Sequence, residues 1–206
     1  MVLIKAMKIS RIINSIFTSN TFILTNDDSP YCWLVDVGDE KPILDAIGKK
    51  YIKGILLTHT HYDHIYGINK IIERFPDCIV YTSEAGKEGL YSDKFNFSRY
   101  HSDPIIFKGK KIHLLNDGEY IELFPNLKIK SFFTPGHDMS CVSYYTDNEI
   151  FTGDSYIPNI KVITSFPRSS KKDANVSLEL IMKLIENRSI YPGHNDCYIK
   201  NINTNE

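Results

Sequence analysis

Apolar positions along the chain fall into short runs separated by turns, and two periodicities can be read from them. In the first part, "KISRII", "TFILT" and "YCWLVDV" are rich in β-branched and aromatic residues, with the turn residues "NDDSP" between the second and third. Such runs predict strands, and their close succession predicts a meander. The opening "MVLIKAMKISRIINSIF" is interrupted by Lys5, Lys8 and Arg11 and is followed by no small-residue cleavage site. It is therefore expected to form a first strand and not a secretion signal.

Further along, "GILLTHTH" is a short apolar run, and "DHIYGINKIIERF" then places Ile65, Ile68, Ile71, Ile72 and Phe75 at spacings of three and four. This predicts a buried strand that ends in histidines, followed by a helix. The second half repeats the plan, with strands at "KIKSFFT", "CVSYYT" and "EIFTGD", a helix over "DANVSLELIMKLIEN" capped by Asp173, and a last strand at "SIYPGH". The polar end "NINTNE" is expected to fray. With 206 residues and 42% hydrophobic content, the expectation is one mixed α/β domain over residues 1–206.

Composition narrows the function. The net charge of -1 provides no strongly basic field of the kind that non-specific nucleic-acid binding needs. No run approaches the roughly 20 apolar residues of a membrane span. Cys32, Cys78, Cys141 and Cys197 form no CxxC, which argues against both a thiolate zinc site and a disulfide framework. A soluble, cytoplasmic protein is expected.

The chemistry concentrates in "THTHYDH", Thr58 to His64. Residues two apart in an extended segment face one side, so His59 and His61 can present their imidazoles to one point, while Asp63 and His64 approach from the turn. That suits one metal ion or two, and two ions need further donors. Candidates lie in three more strand-terminal turns: His137 in "FFTPGHD", Asp154 in "IFTGDS" and His194 in "IYPGH". Each follows a glycine, which lets the backbone turn sharply and approach closely.

In this order, "THTHYDH", "TPGHD", "FTGDS" and "YPGH" resemble the metal-binding signature of the metallo-β-lactamase superfamily, and most closely its glyoxalase II-like hydrolase branch. The resemblance covers nearly the whole chain. It implies a four-layer αβ/βα sandwich of two β-sheets with helices outside, and a dinuclear site at one edge of the sheets. It further implies that His59, His61 and His137 hold a first metal, that Asp63, His64 and His194 hold a second, and that Asp154 bridges them. Zinc is the expected metal, with iron or manganese also compatible with these donors. The implied reaction is hydrolysis by a metal-bridging hydroxide, with Asp63 also orienting the attacking water. A glyoxalase II proper carries a helical C-terminal domain that helps bind glutathione, whereas 12 residues follow His194 here, so the chain resembles the shorter relatives.

Substrate contacts are expected from "SYIPNIKVITSFPRSSKKDA", where Tyr156, Lys161 and Arg168 could hold an anionic group of a small-molecule substrate, whereas Lys171 and Lys172 read as a solvated approach to the next helix. The aromatic-rich "YSDKFNFSRYHSDP", Tyr91 to Pro104, reads as a lid or as a loop packed on the core. His101 is expected to be a surface or hydrogen-bonding histidine and not a ligand, His113 a strand residue, and Cys141 and Cys197 neighbours of the site without a ligand role. A thioester or other acyl hydrolase leads the functional expectations. A phosphodiesterase or nuclease, an iron-dependent persulfide dioxygenase and a non-enzymatic metal-binding module follow.

Overall fold

The computed structural model describes residues 7–200, and the expectations for the first six residues and for "NINTNE" lie outside them. The first sheet opens with β1 (Lys8–Ile13), β2 (Asn20–Thr25) and β3 (Tyr31–Val35) as an antiparallel meander. Onto β3 are added, in parallel, β4 (Tyr51–Leu56), β5 (Ile79–Thr82) and β6 (Ile112–Leu114). The second sheet is formed by β7 (Tyr120–Phe124), β8 (Leu127–Phe133), β9 (Val142–Tyr145) and β10 (Glu149–Gly153), antiparallel in turn, with β11 (Ser189–Pro192) parallel to β10. Five helices complete the order: α1 (Glu40–Ile47), α2 (Tyr62–Ile65), α3 (Ile68–Arg74), α4 (Glu84–Leu90) and α5 (Lys171–Ile185).

Strand alternation decides the layers. Ile23, Leu34 and Ile55 point away from the second sheet and are covered by Ile43 and Ile47 of α1 and by Ile68 and Ile71 of α3. Their neighbours Phe22, Leu24, Trp33, Val35 and Leu56 point the other way and meet Ile121, Ile129, Val142, Tyr144 and Phe151 of the second sheet. On the far side, Ile181 of α5 covers Phe132, Ile150 and Ile190. Helix, sheet, sheet and helix make a four-layer αβ/βα sandwich. Burying each leucine- or phenylalanine-sized side chain stabilises the fold by about 1.5–3 kcal/mol. Trp33 adds a polar tie between the sheets, its buried indole N–H donating to Leu123 O at 2.8 Å.

Two local expectations change. The helix expected through Ile65–Phe75 is two pieces, α2 and α3, interrupted near Gly67. The Gly67 N–H donates to Val37 O at 3.2 Å, and a Cβ added there would lie 2.0 Å from Gly38 O. The chain leans on the loop after β3, and a continuous helix would not leave room for it. The last helix is capped by Ser170, not Asp173: Ser170 Oγ accepts from Asp173 N at 3.2 Å, a bond worth about 1 kcal/mol. Asp173 instead sits in the first turn, where its charge favours the helix dipole. Among the described residues no helix is long and apolar enough to cross a membrane.

Candidate metal centre

The ends of β3, β4, β8, β10 and β11 bring their following loops to one edge of the sandwich. Val142 N donates to Thr58 O at 2.7 Å and Gly193 N to Gly153 O at 2.9 Å, so the loops that carry the histidines and Asp154 are tied through their backbones. Glycine is required at two of these turns. Gly153 holds φ +50°, and a Cβ on Gly193 would lie 2.2 Å from Asp154 Oδ1.

Three overlapping groups result. Ligand atoms of His59, His61 and His137 lie within 4.8 Å of one another, as do those of His59, His64 and Asp154 and those of Asp63, His64 and His194. His61 Nδ1 and His137 Nε2 are 3.0 Å apart, and His64 Nε2 and His194 Nε2 are 3.3 Å apart. Asp63 Oδ2 is 3.3 Å from His64 Nε2 and 3.2 Å from His194 Nε2. Asp154 Oδ2 lies 3.5 Å from His137 Nε2 and 3.4 Å from His194 Nε2, so it faces both groups at once. Donors bound at about 2.0–2.1 Å to one tetrahedral ion stand about 3.3 Å apart, and these spacings match. His59 Nε2 and Asp154 Oδ1 are buried with no hydrogen-bond partner, which is costly unless a cation takes their lone pairs. The residues fit divalent metal.

The second nitrogen of each ring carries the same message. His137 Nδ1 faces Ile163 O and His194 Nδ1 faces Phe17 O, both at 3.0 Å. A carbonyl only accepts, so Nδ1 holds the proton and a neutral ring turns a bare Nε2 toward the cluster. His64 Nδ1 faces Asp36 Oδ2 at 2.9 Å, and His59 Nδ1 faces Thr58 Oγ1 at 3.2 Å. His61 is reversed. Its Nδ1 points into the group, and its Nε2 points at Asp138 Oδ2, 3.6 Å away. Outer oxygens of this kind orient metal-binding imidazoles and raise their basicity.

Electrostatics follow the burial. Burial drives His59 well below its ordinary range, and the neighbouring histidines add to this. Burial works against His64 and His194 too, but there the carboxylates win: Asp63 and Asp154 raise His64 well above its usual value, and Asp154 with Asp63 pushes His194 up to about 9. Burial would raise Asp63 and Asp154, yet His64 and His194 overcome it, holding Asp63 well below the carboxylate range and Asp154 at about 2.

Residues expected to contact substrate separate. Lys161 is exposed and lines a crevice of about 30 Å³ beside His137 and Asp154. Arg168 is turned inward instead. Its guanidinium donates to Ala85 O at 3.0 Å, stands 3.5 Å from Asp138 and 3.7 Å from Glu88, and packs over the Phe95 ring. Tyr156 packs against the Phe132–Ile181 cluster. Neither lines the cleft above the histidines. The Tyr91–Pro104 loop contributes Phe97 and His101 to that cleft, and His101 stacks on Tyr62 at 3.9 Å. His113 lies in β6, paired with Glu119. Cys141 is buried as a free thiol and no cysteine joins the candidate ligand groups.

Asp36 lies outside the histidine motifs, and Asp138 closes "TPGHD" without having been assigned a role there. Asp36 is 1% exposed and accepts from Thr58 N at 2.7 Å and Thr58 Oγ1 at 2.6 Å as well as facing His64. The one available signal is a carboxylate inside the apolar run "YCWLVDV". Asp36→Asn keeps the shape, and asparagine tolerates the φ of +58° found there, but it loses one acceptor. It is expected to weaken metal affinity by about 10–100-fold, read by competition with a chromophoric chelator; affinity within twofold of the parent would remove Asp36 from the site.

Comparisons with known proteins identify the family. The sequence model of the Metallo-beta-lactamase superfamily matches residues 17–194. A probable metallo-hydrolase of Streptococcus pyogenes serotype M6 is 33% identical over 218 residues, covering 96% of this chain and 89% of that protein. The hydroxyacylglutathione hydrolase of Cronobacter sakazakii is 32% identical over 147 residues, covering 69% of this chain and 50% of that protein, so the chain spans about half that relative's length. Among solved structures, the BLEG-1 B3 metallo-beta-lactamase has a TM-score of 0.83 at 25% identity, over 92% of this chain and 93% of its own. A protein crystallised in a di-iron-bound form has a TM-score of 0.76 at 23% identity, over 91% and 93%. The chain therefore belongs to the metallo-beta-lactamase superfamily.

Proposed function

We propose that this protein is a dinuclear metallo-hydrolase acting on a thioester or another acyl compound, in the manner of its hydroxyacylglutathione hydrolase relatives. The observation that carries the reading is Asp154, whose Oδ2 lies within 3.5 Å of both His137 Nε2 and His194 Nε2. In this reading His59, His61 and His137 hold one ion, Asp63, His64 and His194 the other, and Asp154 both. Zinc is the proposed metal, and iron or manganese also fits these imidazole and carboxylate donors. Bound there, two such ions would supply a hydroxide at neutral pH and polarise the scissile carbonyl.

The chain's own residues do the rest. Asp36, Ile163 O and Phe17 O hold protons on the Nδ1 atoms of His64, His137 and His194, so the Nε2 lone pairs stay directed inward. Asp63 remains ionised and 12% exposed at its side chain, placing an acceptor where it orients the attacking water. Water's oxygen joins the acyl carbon, the bond to sulfur or oxygen breaks, and the leaving group departs with the proton. With Arg168 turned inward, one of the cations expected to hold a phosphate does not line the cleft, which favours the acyl reading. Cys32, Cys78 and Cys141, buried as free thiols, suit the reducing cytoplasm that we also propose.

The test is steady-state hydrolysis by protein loaded with zinc, iron or manganese in turn. S-lactoylglutathione, a neutral thioester and a 4-nitrophenyl ester serve as substrates. Saturable turnover that needs two equivalents of metal is expected for at least one thioester. Protein that holds two equivalents and hydrolyses none of the three above the metal-free level would sink the reading.

A further inference from the structure

Hydrolysis at the cluster needs metal ligands and a water, but it does not need the aromatic mouth that this chain builds around them. The cleft above the histidines encloses about 280 Å³, and besides the ligand residues it is lined by Phe17, Tyr62, Phe97, His101, Ile163 and Phe166, with no lysine or arginine. Phe97 and Phe166 stand 5.3 Å apart, each in a T-shaped contact with His61, at 4.8 and 5.3 Å. Across the mouth, Phe17 meets His101 edge-on at 6.0 Å. Phe17 is 66% exposed and Phe166 37%, so large apolar faces are left open to water beside a polar centre. Exposed apolar patches of this kind mark binding sites.

The backbone strengthens the point. Phe17 and Phe97 hold φ of +51° and +61°. Such values are uncommon for any residue but glycine, and for a bulky side chain they are true outliers. Four of the other described non-glycine residues with positive φ are asparagine or aspartate, and the fifth, Thr18, adjoins Phe17.

Phe97 is forced into this state by its neighbours. Buried Asn96 donates through Nδ2 to Gly89 O and Ile105 O, and buried Ser98 accepts from Ile105 N at 2.7 Å. Phe17 is held by the carbonyl that receives His194 Nδ1. Strain that the surroundings enforce at a site points to a use for the strained residue, and here the use is where the ring stands.

We propose that this rim is a binding platform for an apolar acyl or aroyl group, attached to the carbonyl that the metal centre attacks. The inference rests on the acyl-hydrolase reading and specifies its substrate class. Size agrees, since an apolar cavity of about 150 Å³ holds benzene and this cleft has nearly twice that volume. No lysine or arginine lines the cleft itself, so its rim offers an acyl chain apolar faces and no side-chain ion pair.

The experiment uses the full chain loaded with two equivalents of zinc and a series of N-acetylcysteamine thioesters from acetyl to octanoyl. Burial of successive methylenes should raise kcat/KM by up to about fourfold each, and by at least about a hundredfold from acetyl to octanoyl. In Phe97→Ala and in Phe166→Ala, the octanoyl-to-acetyl ratio should fall by about tenfold or more. A ratio taken within one variant does not depend on how much of it is folded. A flat series, or a ratio unchanged in both variants, overturns the proposal.

Calorimetric titration with octanoate and with acetate separates the two readings. If no thioester is hydrolysed but octanoate binds at least tenfold tighter than acetate, and loses that margin in Phe97→Ala, the apolar platform stands and the hydrolase reading falls. If octanoate binds no tighter than acetate, the platform is refuted whatever the protein hydrolyses.

Discussion

Asp154→Ala is expected to lose turnover by well over the ~100-fold that removal of an outer oxygen costs a metal site, together with tight binding of metal. The reason is geometric. Asp154 Oδ2 faces His137 on one side and His194 on the other, and Oδ1 is 3.6 Å from His64 Nε2. One carboxylate thus serves both groups, and deleting it opens both. Its environment is built for an anion, because His64 and His194 hold its pKa at about 2 against the pull of burial. Asp154→Asn keeps the shape and removes the charge, so it separates packing from ligation. Both variants should bind fewer than two equivalents of zinc by elemental analysis. Two tightly bound equivalents in Asp154→Ala, with turnover intact, would show that Asp154 does not bridge.

Removing the metals should lower the melting temperature by about 8–16 °C for each ion lost. An ion present at ~1,000 times its dissociation constant contributes about 4 kcal/mol, and each kcal/mol is worth about 2–4 °C in a chain of this size. The loss should also depend on pH. In the metal-free protein the charges of Asp63 and Asp154 are balanced by protons on His64 and His194.

His194 is raised from 6.5 to about 9, so the stability it contributes is fully present below pH 6.5 and disappears as the pH rises through 9. Asp154 acts at the other end, its contribution fading as the pH falls from 3.8 to about 2. Metal-free protein should therefore melt at progressively lower temperature from pH 6.5 to 9. With metal bound, His194 Nε2 carries no proton across that window, and the curve should be flatter. Melting temperatures that are unchanged by chelation, with metal loss confirmed by elemental analysis, would mean that these residues are not assembled as ligands.

Most strand runs were legible in the chain because they rest on local patterns, whereas the four-layer sandwich was expected from the resemblance of the motifs to a family. Period-two alternation in "TFILT" and "YCWLVDV" is enough to send Ile23 and Leu34 to one face and Phe22, Leu24 and Trp33 to the other. The glycine–histidine and glycine–aspartate turns at the ends of β8, β10 and β11 mark candidate ligands through residue type and position. Short elements were harder to read. Helix α4 spans seven residues with two glycines, and α1 eight with a proline in its first turn, so neither leaves a clear helical period.

What the sequence determined by itself was the strands other than β5 and β7, the superfamily and the seven candidate ligands, since each rests on short motifs or runs of neighbouring residues. What the tertiary structure decided was how segments far apart meet. Asp36 reaches His64 across 28 positions, and the Phe17 carbonyl reaches His194 across 177. The same folding turned Arg168 inward onto Ala85 and brought Phe17, Phe97 and Phe166 to one mouth. Hydrogen bonds and ring contacts between distant segments depend on where the sheets place their loops, and no local period encodes that.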